Sequence, residues 1–405
     1  MRINTFFAFS LLVVALPLQA AQDTVRFATF NASLNRGSAG ALASELSAPG
    51  SAQPDTVAEI IQRVRPEVLL INEFDYDAGG VSAQGFLDNY LSVAHGDAGP
   101  IFYPYYFVAP SNTGIFSGFD LDNSGGAGDF VPNDSFGFGF FPGQFGMVVY
   151  SMFPIDYEAL RTFQLFRWKD MPDALLPDDP AFPGPADWYS PDELEVFRLS
   201  SKSHWDVPIV IPGDDEPKTI HFLVSHPTPP VFDGPEDRNG TRNADEIRFW
   251  ADYIIPSRSG YIYDDEGQIG GLPSGALFVI AGDQNSDPFD GDSIPGSAQQ
   301  LLDHPLVNTK VTPGSDGAIE QSILQGDANT LHFGDPAFDT ADFSDFSPGN
   351  LRVDYVLPRK SLRITDAGVF WPTSDDPLFP LVGTFPFPSS DHRLVWVDVA
   401  VPGIE

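Results

Sequence analysis

Polar side chains that could do chemistry recur where apolar, strand-like runs of this sequence end. The run "EVLLINEF" contains Glu73 near its end, and "VIAGDQN" leaves Asp283 at the end of an apolar run, with Asn285 two positions further on. A layered fold gathers a site from such strand ends, because distant parts of the chain meet at one edge of a sheet. Carboxylate, amide and imidazole groups that meet there could bind a divalent cation, position a water and contact an anion. The full set is Asn31, Glu73, His226, Asp283, Asn285, Asp354, Asp391 and His392.

The elements that must position these side chains are short strands mixed with helices. The strand-like runs are rich in Val, Ile and Phe, often alternate in polarity, and are bounded by Gly, Pro or Asp. They are "VRFATFNAS", "EVLLINEF", "GMVVYSMFPI", "WDVPIVI", "TIHFLVSH", "ALFVIAG", "LRVDYVL" and "LVWVDVAV". Strands interleaved with helices indicate α/β layers rather than an all-β sandwich.

Two amphipathic segments predict helices. In "TVAEIIQRVRP", Thr56 and Glu59 form a capping box at the start of the helix and Pro66 ends it. The segment "NADEIRFWADYIIP" predicts a second helix with one apolar stripe. That stripe comprises Ile247, Trp250, Ala251 and Ile254.

Composition excludes some classes of chemistry. The chain has no Cys, which rules out thiol catalysis, a zinc site with Cys ligands and disulfides. The 56 Asp and Glu residues outnumber the 21 Lys and Arg residues, and the formal net charge is −35. A surface this acidic repels polyanions, so tight binding of nucleic acid is not expected.

The N-terminus has the pattern of a secretory signal peptide. Arg2 supplies the positive charge, Phe6–Leu16 the apolar core, and "LQAA" the small-residue end. The apolar run is too short to span a bilayer. We therefore expect residues 1–21 to be removed and the mature protein to be secreted or periplasmic.

The order of the strand-end residues resembles the endonuclease/exonuclease/phosphatase superfamily, which includes enzymes like deoxyribonuclease I. The resemblance extends from Asn31 to His392. It implies a four-layer α/β sandwich of two packed mixed β-sheets flanked by helices. It also implies a single domain over residues 22–405, with a large insertion at roughly 78–200.

The resemblance assigns three residues to a metal. Glu73 matches the principal metal ligand, Asn31 matches an amide that helps to hold metal or phosphate, and Asp391 matches a second-site ligand or a support for the neighbouring histidine. Hard oxygen ligands suit Mg²⁺ or Mn²⁺.

The resemblance assigns five residues to the reaction itself. Asp283 matches the residue that orients or deprotonates the attacking water, and Asn285 matches a donor to the phosphate. His226 and His392 match histidines that contact the phosphoryl group, with Asp354 orienting His392 and keeping it cationic.

The superfamily has a carboxylate partner for the first histidine and, in some branches, a Tyr or Arg that faces the phosphate, and neither has a clear match in this sequence. Asp75, Asp77 and Asp97 are all eligible as the carboxylate partner of His226. Arg238 and Arg242 are candidates for binding phosphate.

The predicted insertion contains a candidate calcium loop. Asp120, Asp122 and Ser124 occupy the first, third and fifth positions of a calcium loop in "FDLDNSGGAGD". Val131 stands at the twelfth position, where such a loop has Glu. A structural Ca²⁺ and a solvated acidic turn are the two interpretations.

A Phe-rich stretch, "FVPNDSFGFGFFPGQF", follows that loop. It could contact lipid, as an apolar surface segment does, or form a buried wall beside the site. Its direct lead into the strand-like run "GMVVYSMFPI" favours the wall.

These patterns predict an exported, divalent-metal-dependent phosphoric ester hydrolase that acts on small phosphomonoesters or phosphodiesters. The alternatives are a secreted nonspecific nuclease, a lipid phosphodiesterase similar to sphingomyelinases, and a non-catalytic binding protein on the same fold. We expect nucleic acid to be bound weakly if at all, and no protein partner is implied.

Overall fold

The computed structural model describes residues 24–181, 184–213 and 216–401. The predicted signal peptide at residues 1–21 lies outside the described residues. Two β-sheets and a separate two-stranded ribbon organise the described chain. No helix in the described ranges is long and apolar enough to cross a membrane.

The first sheet has six strands in the order β12-β13-β1-β2-β4-β3. The β1 strand pairs in parallel with β2 and antiparallel with β13. The strands are β1 (Thr24–Leu34), β2 (Val68–Phe74), β3 (Tyr105–Phe107), β4 (Met147–Ser151), β12 (Arg363–Val369) and β13 (Val395–Ala400).

The second sheet has five strands in the order β11-β8-β7-β6-β5. Its only parallel pair is β7 with β8. Its strands are β5 (Arg161–Thr162), β6 (His204–Ile211), β7 (Lys218–Ser225), β8 (Leu277–Asp283) and β11 (Asp354–Pro358). The ribbon pairs β9 (Ala341–Asp342) with β10 (Asn350–Leu351).

Seven α-helices accompany the strands in the described part of the chain, the longest being α2 and α5. They are α1 (Ala41–Leu46), α2 (Ala52–Val64), α3 (Val81–Phe86), α4 (Pro191–Leu194), α5 (Arg238–Tyr253), α6 (Gln299–Leu302) and α7 (Asp316–Gln325). One π-helical turn follows α3 at Leu87–Leu91. Short 3₁₀ turns lie at Trp168–Asp170, Ser259–Tyr261, Asp327–Leu331, Pro336–Phe338 and Phe379–Leu381.

Strand alternation creates three apolar layers between four layers of structure. In β1, Val25 and Phe27 face a core between the sheets, whereas Ala28 and Phe30 face a second core under α1, α2 and α3. A third core lies on the outer side of the second sheet, where the apolar stripe of α5 is buried. Successive strand side chains point to opposite faces, so a strand covered on both faces must be apolar throughout. The predicted sandwich of two mixed sheets flanked by helices is confirmed.

The N-terminal boundary predicted for α2 was wrong. The helix begins at Ala52 after Ser51, and Thr56 lies inside it, where its hydroxyl donates to the carbonyl of Ala52 at 2.9 Å. Its C-terminal end agrees with the prediction, because Arg65 adopts a left-handed conformation directly before Pro66.

The segment predicted as an insertion, residues 78–200, does not stand apart from the sheets. It contributes β4, whose five residues pair with β2, and the edge strands β3 and β5. It also contains α3, the π-helical turn and α4, and its described residues outside these elements are mostly loops, from which Phe163 and Phe166 pack into the third core.

Candidate active site

The alternation of the strands brings the predicted residues to one edge of the core between the sheets. In β8, Val279 and Ala281 face this core, and Asp283 continues the same side of the strand. Asn31 likewise lies on the same face of β1 as Phe27, four positions further along the strand. His226 lies two positions after Val224 of β7 and continues the same face. Asp354 lies two positions before Val356 of β11, also on the face directed to this core. Register alone therefore aims four polar side chains from both sheets into one space.

The two sheets approach closely at this edge. Asn72 of β2 spans the gap between the sheets: its amide donates to the Ser225 carbonyl at 3.3 Å and its oxygen accepts from the Asp283 N–H at 3.1 Å. Within the second sheet, β7 and β8 are also close, since a Cβ on Gly282 would lie 2.0 Å from the carbonyl oxygen of Ser225, and the φ of 143° at Gly282 favours glycine as well. The Ala-Gly-Asp sequence at the end of β8 is explained by this close packing.

Two of the predicted residues adopt a left-handed backbone that non-glycine residues rarely use. Glu73 has a φ of 57° and Asn285 a φ of 50°. Such conformations cost free energy and cluster at functional sites, where the surrounding structure maintains them. The strain at Glu73 ends the alternation of β2.

The Glu73 carboxylate is held by two amides. Oε1 accepts from Asn31 Nδ2 at 3.2 Å, and Oε2 accepts from Asn35 Nδ2 at 2.8 Å. Burial raises the pKa of Glu73, which the positive charge of His392 opposes and the negative charge of Asp391 reinforces. Asn35 is a site residue that sequence reasoning missed, because it lies in the loop after β1 rather than at a strand end.

The Asp283 carboxylate is the centre of the site. Its Oδ2 accepts from Asn31 Nδ2 at 3.0 Å and lies 3.4 Å from His226 Nε2 and 3.7 Å from His392 Nε2. Its Oδ1 accepts from the Asn285 N–H at 2.8 Å. Burial alone would raise its pKa, but the charge of His392 and the hydrogen bond from His226 lower the pKa of Asp283 below its usual value. Asp283 is therefore ionised at neutral pH.

His392 is positioned from behind by a second carboxylate. Its Nδ1 lies 2.9 Å from Asp354 Oδ2, which also accepts from the Thr340 hydroxyl at 2.9 Å. Although burial opposes it, the negative charges of Asp354 and Asp283 raise the pKa of His392 well above its ordinary value. The His392 imidazole is therefore cationic, and its Nε2 is directed towards Asp283.

His226 is neutral, in contrast to the cationic His392. Burial, reinforced by the nearby charge of Lys202, lowers the pKa of His226 to about 4. Its Nδ1 is buried and has no hydrogen-bond partner among the described residues. One neutral and one cationic imidazole thus flank the same carboxylate.

A buried cation, Lys202, was not predicted from the sequence. It precedes β6, is 7% exposed, and its ammonium lies 3.4 Å from the Pro227 carbonyl oxygen. Burial lowers the pKa of Lys202, while the carboxylates of Glu246, Glu73 and Asp283 oppose that shift. The run "SSKSH" carries no motif that would single it out.

The donor chemistry of this region fits a divalent cation. Oxygen ligands are available from Glu73 and Asn31, and the negative charge of Asp391 acts on Glu73. Ligand atoms of Asp283, Asp354 and His392 also lie within 4.8 Å of one another. Of these groups, Glu73 and Asn31 would hold Mg²⁺ or Mn²⁺ best, because Asp354 and His392 already bind each other.

None of the three carboxylates considered as partners of His226 contacts that histidine. Asp75 accepts from the backbone of Arg36 and Phe145, Asp77 accepts from backbone N–H groups at the start of α3, and Asp97 pairs with Arg63 at the surface. The carboxylate beside His226 is Asp283 itself.

Neither arginine considered for phosphate binding contacts the site residues. Arg242 is buried, and its guanidinium donates to the carbonyls of Phe136, Arg198 and Leu199. Arg238 pairs with Glu236. The assignment of Arg242 to phosphate was wrong, because its hydrogen-bonding capacity is used to tie loops to α5.

Asn285 lies at the site, with its side chain turned towards protein. Its Nδ2 donates to the Pro227 carbonyl at 3.1 Å, the same oxygen that Lys202 approaches. Asp391 is only partly buried, and its Oδ1 lies 3.4 Å from the hydroxyls of Ser33 and Ser390.

The candidate calcium loop gathers three carboxylates. Ligand atoms of Asp120, Asp122 and Asp134 lie within 4.8 Å of one another, so they could hold a metal ion. Ser124 donates its N–H to Asp120 and Asp122 at 3.0 and 3.1 Å. The third carboxylate is Asp134, three residues after Val131, which stands at the position where a calcium loop has its Glu.

The Phe-rich stretch is not the buried wall that we predicted. Phe130, Phe138 and Phe140 are 47%, 49% and 60% exposed, and their rings contact one another with centroids 5.6–6.5 Å apart. Phe136 is the buried member. Gly137 and Gly139 alternate with the exposed rings and pack against the backbone of Ser201 and Gly114, which leaves the rings on the outer side.

Comparison with solved structures finds similar proteins at low sequence identity. An endonuclease/exonuclease/phosphatase from Beutenbergia cavernae is 15% identical with a TM-score of 0.47, over 94% of this chain and 72% of that chain. A family protein from Leptotrichia buccalis is 14% identical with a TM-score of 0.47, over 93% of this chain and 100% of that chain. Sphingomyelinase C from Streptomyces griseocarneus is 12% identical with a TM-score of 0.41, over 93% and 98%.

None of the curated proteins matches this chain significantly. The model of the Endonuclease/Exonuclease/phosphatase family matches residues 28–392, which include the site residues from Asn31 to His392. The chain therefore belongs to the endonuclease/exonuclease/phosphatase family.

Proposed function

We propose that this protein is a divalent-metal-dependent phosphoesterase that hydrolyses small phosphomonoesters or phosphodiesters by in-line attack of an activated water. Members of its family are generally hydrolases that act on phosphoester bonds. The observation that carries the proposal is the position of the Asp283 carboxylate, which lies 3.4 Å from His226 Nε2 and 3.7 Å from His392 Nε2. An ionised carboxylate between two imidazoles can orient and deprotonate a water while the imidazoles contact phosphoryl oxygens.

Each residue has a role that follows from its charge and contacts. Asp283 is the base, since its lowered pKa keeps it ionised. His392, cationic and held by Asp354, donates from Nε2 to a phosphoryl oxygen. Glu73 and Asn31 are the residues that would hold the metal. A bound divalent cation supplies Lewis acidity that offsets charge on the phosphate.

Lys202 adds a fixed positive charge close to the carboxylates. Its field acts on both Glu73 and Asp283, as the mutual pKa effects indicate. A positive charge in a site shielded from water stabilises developing negative charge more strongly than it would in solution. We assign Lys202 to stabilising the charge of the bound phosphate.

A small substrate suits the electrostatics of the chain better than duplex DNA does. Duplex binding depends on Lys and Arg contacts to several phosphates, and the net charge of −35 opposes it. A single phosphoester requires only the metal and the few donors of the site. Long-range repulsion costs it less, particularly in salt, where charges beyond about 8–10 Å are screened.

The experiment that tests this function compares kcat/KM for nitrophenyl phosphomonoesters and phosphodiesters with nicking of supercoiled plasmid. Both assays are run with Mg²⁺, Mn²⁺ or Ca²⁺ at equal ionic strength. We expect measurable turnover of a small ester and weak plasmid cleavage. Efficient plasmid digestion with negligible ester turnover would assign the protein to a nuclease function instead.

We also propose that the protein is exported, and a separate experiment tests this. The support is the N-terminal pattern of Arg2, the apolar run Phe6–Leu16 and "LQAA". Expression of the full chain in a bacterial host should yield a protein that has lost about 20 residues and is recovered outside the cytoplasm. N-terminal sequencing that finds Met1 retained on cytoplasmic protein would contradict export.

A further inference from the structure

Five phenylalanines stand out from the surface on separate loops. Phe232, Phe289, Phe333, Phe346 and Phe385 are 88%, 67%, 89%, 85% and 85% exposed. We call them the phenylalanine rim. Phenylalanine is usually buried, so several exposed rings in one region require an explanation.

Strand register places these loops at the edge that carries the site. Phe232 lies in the loop after β7, and Phe289 in the loop after β8, the two strands that lead to His226 and Asp283. The loop that contains Phe385 leads into β13, whose first residue pairs with Thr29. Phe346 lies in the loop between β9 and β10, and Ala341 of β9 forms a bridge with His392. All four loops therefore emerge beside the catalytic residues rather than at the opposite edge.

Hydrogen bonds hold three of the rim loops together. The Asp290 carboxylate accepts from the backbone N–H groups of Phe333 and Gly334 at 2.9 and 2.8 Å, which links the second rim loop to the third. His332 Nε2 lies 2.8 Å from the Pro348 carbonyl oxygen, which links the third loop to the fourth. These contacts hold Phe289, Phe333 and Phe346 in place with their rings outward.

The loop that contains Phe346 also contacts His392. Phe343, three residues before Phe346, packs edge-on against the His392 ring with centroids 5.3 Å apart. Phe385 contacts Phe387, and Phe387 in turn lies under the Arg393 guanidinium. A surface that touched the rim would thus lie next to the site.

The exposed apolar area of the rim is comparable with the largest apolar patch on a typical monomer, which is often functional. At roughly 200 Å² for each ring, the three linked phenylalanines alone present on the order of 500 Å². Leu331, two residues before Phe333, is 77% exposed and adds to this area. Patches of this size commonly mark a binding surface.

The charge around the rim selects the kind of surface that it fits. Lys310 is the only Lys or Arg between Asn285 and Asn350, whereas the same stretch contains Asp290, Asp335, Asp345 and other acids. An anionic membrane or a second copy of this acidic chain would be repelled. A zwitterionic phospholipid carries its ammonium group outermost, and both carboxylates and aromatic rings attract such a cation.

We propose that the phenylalanine rim docks the catalytic edge onto a zwitterionic phospholipid surface. The rings insert at the level of the head groups, and the surrounding carboxylates contact the ammonium groups. This goes beyond the proposed phosphoesterase function and does not depend on it, because docking involves side chains outside the catalytic set.

The test is co-sedimentation of the protein with phosphatidylcholine vesicles and with phosphatidylglycerol vesicles. Binding is measured in EDTA, so loss of hydrolysis cannot be mistaken for loss of docking. We expect the wild-type chain to bind the phosphatidylcholine vesicles more strongly. The triple variant Phe289→Ser, Phe333→Ser, Phe346→Ser should lose about tenfold or more of the partition coefficient, since it removes the apolar contacts.

Phe102→Ser is the matched control. Phe102 is 63% exposed, but it precedes β3, whose first residue pairs with Ser151 at the opposite edge of the sheet. Its substitution should leave vesicle binding unchanged, and circular dichroism should show all variants folded. Absence of binding to phosphatidylcholine, or equal loss in the Phe102 variant, would overturn the proposal. A dimer in sedimentation velocity that the triple variant abolishes would overturn it in favour of self-association.

Discussion

His392 Nδ1 lies 2.9 Å from Asp354 Oδ2, and both residues are buried at the edge of the core between the sheets. The strand that provides Asp354 pairs antiparallel with β8, so the aspartate stands opposite Asp283. His392 therefore lies between two carboxylates, and both raise its pKa.

This pairing predicts non-additive mutational effects. His392→Ala and Asp354→Ala should each lower kcat by a similar factor, and the double variant should be hardly worse than either, because an imidazole and its orienting carboxylate act as a unit. The measurement is kcat for a nitrophenyl phosphoester. Thr340→Ser, which retains a hydroxyl donor to Asp354, serves as the control. A double variant whose loss equals the product of the two single losses would show that the residues act separately.

Lys202 should add to the effect of burial, which is the main cause of the lowered pKa of His226. Because its positive charge contributes to the lowered pKa of His226, Lys202→Met should raise that pKa, which NMR titration of the imidazole measures directly. It should also lower kcat about 100- to 1,000-fold, the range for loss of one donor that stabilises charge in the transition state.

Lys169→Met is the control for Lys202, since Lys169 pairs with Glu195 on the surface. An unchanged His226 titration in Lys202→Met would separate this lysine from the site.

Calcium should stabilise the loop around Asp120 and Asp122. A ligand that binds only the native state raises the unfolding free energy, by about 2.7 kcal/mol at 100 times its Kd. The Asp120→Asn, Asp122→Asn variant retains acceptors for the Ser124 N–H but loses two charges. It should show no calcium-dependent rise in Tm, whereas Asp129→Asn in the same loop should respond like wild type. A full calcium response in the double variant would exclude this loop.

Asp339 should make stability depend on pH. Burial, with the nearby charges of Asp287 and Asp290, raises the pKa of Asp339 from 3.8 to about 8. The folded chain therefore keeps a proton that the unfolded chain releases, and stability falls as pH rises from about 4 to 8, with a slope approaching about 1.4 kcal/mol per pH unit.

Asp339→Asn does not titrate, so its advantage in Tm over wild type should grow with pH across this window. Thermal denaturation at pH 5 and pH 8.5 measures the difference. Glu216→Gln, an exposed carboxylate changed in the same way, should show no such trend. An equal difference at both pH values would contradict the buried ionisation.

The sequence was sufficient to predict the strands and the residues at their ends, because apolar alternation and turn residues are local signals. Asn31, Asp283 and Asp354 share one core face for the same reason. Two features depended on contacts that local patterns do not contain. His226 lies beside Asp283 because β7 and β8 are adjacent, and Lys202 is buried against Pro227 by the pairing of β6 with β7.

The predictions for Arg242 and for the Phe-rich stretch failed for similar reasons. Arg242 was a candidate for binding phosphate, but the loops around Phe136 and Leu199 cover it and accept its hydrogen bonds. The lead of the Phe-rich stretch into "GMVVYSMFPI" favoured a buried wall, yet Phe138 and Phe140 lie outside the core because Gly137 and Gly139, which alternate with them, pack inward. In both cases tertiary packing outweighed the local pattern.

In the proposed function, Glu73 holds a metal that hydrolysis requires. The most direct measurement is hydrolysis of bis(4-nitrophenyl) phosphate by the purified protein, by Glu73→Gln, and by Glu59→Gln, a surface control that pairs with Arg63. Each protein is assayed after EDTA treatment and again after titration with Mg²⁺ or Mn²⁺. We predict that EDTA abolishes turnover, that metal restores it in wild type and Glu59→Gln, and that Glu73→Gln stays at least about 100-fold slower, as expected when a metal-dependent site loses its ligand. Full turnover in EDTA, or wild-type turnover in Glu73→Gln with the same metal response, would contradict the account.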